Sequence, residues 1–173
     1  MSIKQFNGTY DQQQDRVLLR FNTQEGTEFR LWITRFMANN ILLAIDQLIQ
    51  KALERKHDSK TATIIHEFQD EGLQKTTNLR QRYDGAQNFP LGEQPILLVG
   101  FSASEKDGIF SFEWKLIGGK SLNITLPTKA VQSMGLLIKS LGYEHAKWGL
   151  NQPLEISSSA PETKLLSSEK LIH

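Results

Sequence analysis

Three groups of residues have types and spacings that could do chemistry. The first is His66-Glu67-Phe68-Gln69-Asp70. On a helix His66 and Asp70 stand one turn apart on the same side, with Glu67 beside them. The arrangement is an imperfect form of H-E-x-x-H, in which residues at i and i+4 hold zinc and the glutamate acts as base. Such a site needs a further ligand from elsewhere, and the remaining histidines are His57, His145 and His173. The polar face of a surface helix accounts for the same residues more simply. No metal is therefore assigned, and His66, Glu67 and Asp70 stand only as the candidates for a metal-dependent hydrolase, the least favoured reading.

The second group is basic. Arg16 and Arg20 share one face of a strand, and Arg30 lies across a hairpin from them with Trp32 nearby. Guanidiniums interleaved with an aromatic ring can track a phosphate backbone and stack a base, which gives a nucleic-acid-binding alternative. Asp15, Glu25, Glu28 and Glu113 are close enough in the pattern to neutralise them, as cross-strand pairs do on the exposed side of an antiparallel sheet. The third group is Tyr143 and Trp148, which follow the last helix. They either seal the edge of the core or anchor an interface, where Trp and Tyr are favoured.

Other chemistry is missing. The chain has no cysteine, which removes disulfides, thiolate nucleophiles and Cys-ligated zinc. Gly118-Gly119-Lys120-Ser121 lacks the spacing of a phosphate-binding loop and sits between two alternating segments, so it reads as a hairpin turn. Neither G-x-S-x-G nor G-x-G-x-x-G occurs. No catalytic residue and no cofactor is assigned. Twenty Lys+Arg against 19 Asp+Glu leave a net charge of +1, which gives no overall pull toward nucleic acid or an anionic membrane.

The elements that would position these residues follow from period. In 15–22, Val17, Leu19 and Phe21 alternate with Arg16, Leu18 and Arg20; in 27–33, Phe29, Leu31 and Ile33 alternate with Arg30 and Trp32. The turn Asn22–Gly26 joins them as a hairpin. A strand over 2–7 precedes, followed by a polar loop, 8–14. Thr34 sits where an N-cap belongs, and Phe36, Ile41, Ile45, Leu48 and Ala52 set a helical stripe over about 35–57. A second helix opens near Thr61, with Ile65, Phe68, Gly72, Leu79 and Tyr83 on one face. The loop 84–95 leads to a three-stranded meander: 96–101, 109–117 and the strand of Leu122, Ile124 and Leu126, with turns at Ser104–Gly108 and Gly118-Gly119. Pro127-Thr128 then opens a last helix, which stops at Gly142.

The expectation is an α+β fold. It has one antiparallel sheet of five to six strands, an N-terminal hairpin plus the meander, with a helical hairpin (about 35–83) inserted between the strand groups. A C-terminal helix packs on the sheet, with the long helix on the same face. Residues 1–150 form a single domain and 151–173 a flexible tail. No internal repeat is evident, although a strands-then-helix order occurs twice. The longest apolar run, Ile41–Ile45, is five residues, and residues 1–8 lack the features of an export signal, so the expected place is the cytoplasm. The favoured function is a non-enzymatic protein-interaction or assembly module, a homodimer or bound to a protein partner, without membrane.

Overall fold

The computed structural model describes residues 2–76 and 83–148. In chain order the elements are β1 (Ile3–Asp11), β2 (Arg16–Thr23), β3 (Glu28–Thr34), α1 (Arg35–Glu54), α2 (Ser59–Thr76), β4 (Ile96–Lys106), β5 (Ile109–Leu116), β6 (Ser121–Pro127) and α3 (Thr128–Ser140). A single π-helical turn, Leu141–His145, ends α3. The fold is α+β, and the six strands lie in one sheet in chain order, β1 to β6. Neighbours are antiparallel except β3 and β4, which run parallel through Leu31↔Ile96 and Trp32↔Leu97. The sheet is thus mixed rather than purely antiparallel. β3 runs directly into α1, and after the α1–α2 hairpin the segment that leads into β4 lies in parallel register with the start of β3 at Thr27↔Asn88, so β4 enters in the same direction. Parallel neighbours require a crossover connection of this kind.

The alternation decides which face is buried. Val17, Leu19, Phe21, Phe29, Leu31, Ile33, Phe110, Phe112, Trp114, Leu116, Ile124 and Leu126 make one continuous apolar layer. The buried faces of α1 (Ala38, Ile41, Leu42, Ile45, Ile49) and α3 (Val131, Met134, Leu137, Ile138) close over it. The Thr34 hydroxyl accepts from the Met37 N–H at 3.3 Å and caps α1. α3 opens differently: the Thr128 N–H and hydroxyl both donate to the Gly108 carbonyl, each at 3.0 Å, which ties the helix to the β4–β5 turn.

Two strands are longer than their composition suggests. β1 continues through Gly8–Asp11 and β4 through Ser104–Lys106, both read as loop or turn from the sequence. The polar residues there, Ser102, Ser104 and Lys106 among them, face solvent on the uncovered side of the sheet, where a side chain need not be apolar. The long helix stops at Glu54 rather than near residue 57.

The two halves of the chain repeat one β-β-β-α unit. Ile3, Arg16, Glu28 and Arg35, which open β1, β2, β3 and α1, each stand 93 residues before Ile96, Ile109, Ser121 and Thr128, which open β4, β5, β6 and α3. Backbone handedness keeps the same spacing: Asp15 (φ 49°) corresponds to Gly108 (φ 80°), and Gly26 (φ 74°) to Gly119 (φ 76°). α1 packs on β3 and β4, and α3 correspondingly on β6 and β1. The duplication escapes sequence inspection because what is kept is burial and turn handedness. Phe21 answers to Trp114 and Val17 to Phe110, and few identities survive.

Candidate interaction site

The basic residues of the β2–β3 hairpin lie on the face of the sheet opposite α1 and α3. Arg20 pairs with Arg30 across the strands, Leu18 with Trp32 and Arg16 with Thr34. The segment 83–93 crosses this face and takes up two of the three guanidiniums. Arg20 stacks on Tyr83, with 5.1 Å from its guanidinium carbon to the ring centroid, and donates to the Asn7 side chain. Arg30 stacks on Phe89 at 4.5 Å, pairs with the Glu28 carboxylate at 2.6 Å and donates to the Glu93 carbonyl at 2.8 Å. Glu28 is 2% exposed, and its other oxygen accepts the Ala86 N–H at 3.3 Å. Burial, and next the charge of Glu28, push the Tyr83 phenol well above its ordinary range, so it stays neutral. The Glu28 N–H donates to the Asn88 carbonyl at 2.8 Å, and Asn88 lies in parallel register with Thr27.

This cluster is a fastening. A buried carboxylate, two stacked guanidiniums and main-chain bonds fix segment 83–93 against the sheet. Arg20 and Arg30 are committed internally, and Arg16 is the member of the predicted set whose guanidinium has no hydrogen bond or ion pair among the described residues. The geometry therefore takes support away from a phosphate-tracking face. Nothing in the sequence pattern marks Tyr83 and Phe89 as the covering groups, because they are brought in from more than 50 residues away.

The first group, His66 to Asp70, splits. His66 and Glu67 line an open cleft of about 670 Å³ between α1 and α2, together with Asp46, Gln47, Gln50, Lys51, Glu54 and Thr63. The Asp70 side chain lies outside the described residues. His57 is exposed at the α1–α2 turn and His145 at the end of the π-helical turn, while His173 lies outside the described residues. Among the described residues no group of three or more His, Cys, Asp or Glu could hold a metal ion. Gln50 instead bridges the cleft, donating to Glu54 at 2.9 Å and to Thr63 at 3.3 Å.

Of the third group, Trp148 is 2% exposed and cannot serve as a free interface anchor. Its ring meets Tyr10 edge-on at 5.9 Å, and its indole N–H donates to Asp15 at 2.7 Å. The Tyr10 hydroxyl donates to the same carboxylate oxygen, also at 2.7 Å. The indole hydrogen bond, followed by that from Tyr10, holds the Asp15 carboxyl below its usual range. The Tyr143 side chain lies outside the described residues.

The sequence stripe missed the surface that is left. Phe36 is 75% exposed, Ile64 65% and Phe68 75%. Phe36 lies five residues before Ile41, about 140° round a helix from the buried stripe. On α2 the inward residues are Ala62 and Ile65, and Ile64 and Phe68, one turn apart, point away from the body. With Leu43, also exposed on α1, they make apolar surface on the helical hairpin. No helix of the described residues is long and apolar enough to cross a membrane.

No protein-family model matches the chain, and neither a curated protein nor a solved structure shows significant similarity to it.

Proposed function

We propose that the protein is a small protein-interaction or assembly module of the cytoplasm without catalytic activity, and that the α1–α2 hairpin is its docking surface for a protein partner. One observation carries the reading: Ile64 and Phe68, large apolar side chains one turn apart on α2, stand in solvent at 65% and 75% exposure. Side chains of this size cost solubility when left bare and add little to the fold, whereas buried under a partner each recovers about 1.5–3 kcal/mol. A helix presenting anchors at i and i+4 fits a groove in another protein.

The test is site-specific photocrosslinking in the source cells. A photoreactive phenylalanine at position 68 gives a discrete protein adduct, and the same group at exposed Ile109, on the sheet, does not. Ile64→Lys abolishes the adduct at 68 without lowering the melting temperature. The absence of any discrete adduct at 68 would sink the reading.

A further inference from the structure

The sheet has two ends, and they are finished differently. The β1 edge is guarded: it carries Lys4, its register with β2 shifts between Ile3 and Gln5, and the π-helical turn with Trp148 closes over its far end at Tyr10. Among the described residues the β6 edge carries no charged side chain and no register shift. β6 pairs with β5 without a register shift from Pro127 to Ser121. None of its seven residues is charged, and its proline stands at the end. Natural sheets blunt exposed edges with charge, bulges, proline or a covering element, because a bare edge offers unpaired N–H and C=O groups to any extended chain.

The internal repeat sharpens the contrast. The strand corresponding to β6 in the first half is β3, and its edge is taken by β4. In the second half the same edge ends the sheet.

We infer that the β6 edge is an isologous homodimer contact, in which β6 pairs antiparallel with β6 of a second copy about a two-fold axis at Ile124. The sequence of the strand is self-complementary. Around Ile124 the order is Leu122-Asn123-Ile124-Thr125-Leu126, so antiparallel pairing sets Leu122 against Leu126, Asn123 against Thr125 and Ile124 against itself. Every pair joins like with like: apolar on the core side, where Ile124 and Leu126 are buried and Leu122 half-buried, polar on the exposed side. The strand brings no like charges together across the axis, and a two-fold contact closes at two chains, whereas pairing with the guarded β1 edge would propagate. Strand addition of this kind takes its affinity from main-chain hydrogen bonds. One strand pair lies at the small end of interface sizes, so the dimer is reversible, with a dissociation constant in the micromolar range. This surface is separate from the α1–α2 hairpin, and its fate is independent of the reading given for that hairpin.

Sedimentation equilibrium on the full chain, from about 1 to about 500 µM, tests it across the range of weak interfaces. The wild type passes from monomer to dimer. Asn123→Lys/Thr125→Lys, both on the exposed face, places lysine opposite lysine and keeps the chain monomeric throughout. Asn123→Lys/Thr125→Glu changes the same positions but forms two cross-strand ion pairs, tightening the dimer about two- to thirty-fold. Should the double-lysine chain fail to fold, Asn123→Glu/Thr125→Glu gives the repulsive case instead. A wild type that stays monomeric overturns the proposal. So does a dimer equally strong in the repulsive variants, or a lysine–glutamate variant no tighter than wild type.

Discussion

Leu42 of α1 and Gly135 of α3 occupy corresponding positions in the two halves of the chain, and they meet where the helices cross. A β-carbon at Gly135 would stand 3.8 Å from Leu42 Cδ2 and 3.6 Å from Ile45 Cδ1. Two helices touching at equivalent positions is what a local two-fold relation between the halves requires. The glycine lets the helices approach at that point, and Leu42 fills the space that a second leucine would contest.

Those distances are ordinary contacts, so Gly135→Ala is accommodated and gains helix propensity, about 0.5–1 kcal/mol in chemical denaturation. Gly135→Leu, which restores the residue of the other half, overpacks the crossing and costs about 1–3 kcal/mol. Alanine destabilising the fold would contradict the crossing geometry.

Arg30→Ala strips the Glu28 carboxylate, whose side chain is 1% exposed, of its charged partner. The expected loss is about 3 kcal/mol or more, because a buried charge is left uncompensated. Glu28→Gln/Arg30→Ala recovers part of it by removing that charge. If segment 83–93 is fastened by this pair, amide exchange at Ala86 and Asn88 accelerates in Arg30→Ala and slows again in the double variant.

Trp148 contributes both packing and a hydrogen bond. Trp148→Phe keeps most of the ring and loses the bond to Asp15, costing about 1.5–3 kcal/mol; Trp148→Ala also opens a cavity and costs about 3–5 kcal/mol. Equal losses in the two variants would show that the ring does not pack as described.

Asp15 predicts a pH dependence with a defined sign. Its folded carboxyl lies below the ordinary range, so its stabilisation is full above about pH 4, the unfolded value, and is lost as the pH falls through the folded one. The indole N–H resonance of Trp148 should therefore shift or broaden at acid pH below that value. Asp15→Asn tolerates the positive φ, keeps an acceptor and has no proton to gain, so its profile should stay flat.

Much of the local structure was legible. Val17, Leu19 and Phe21, or Phe110, Phe112 and Trp114, announce strands because a pleat sends alternate side chains to one face. Thr34 announces a helix start because its hydroxyl can satisfy an orphan N–H. Positive φ at Gly118 and Gly119 agrees with the turn read from their pairing. The exposed apolar surface of α2 was less legible. Helical spacing puts Phe68 on the face of Ile65, yet only Ile65 turns inward, since Ile64, Ile65 and Phe68 fit more than one stripe and packing chooses between them.

The sequence by itself determined the alternating strands, the start of α1 at its Thr34 cap and the two turn glycines, because these depend on groups within a few residues of each other. The tertiary structure alone decided that β3 and β4 run parallel, that Tyr83 and Phe89 cover Arg20 and Arg30, and that the two halves meet at Leu42 and Gly135. Those are non-local pairings. They depend on where the α1–α2 crossover returns the chain and on which buried surfaces then match, and neither is written in any one stretch of residues.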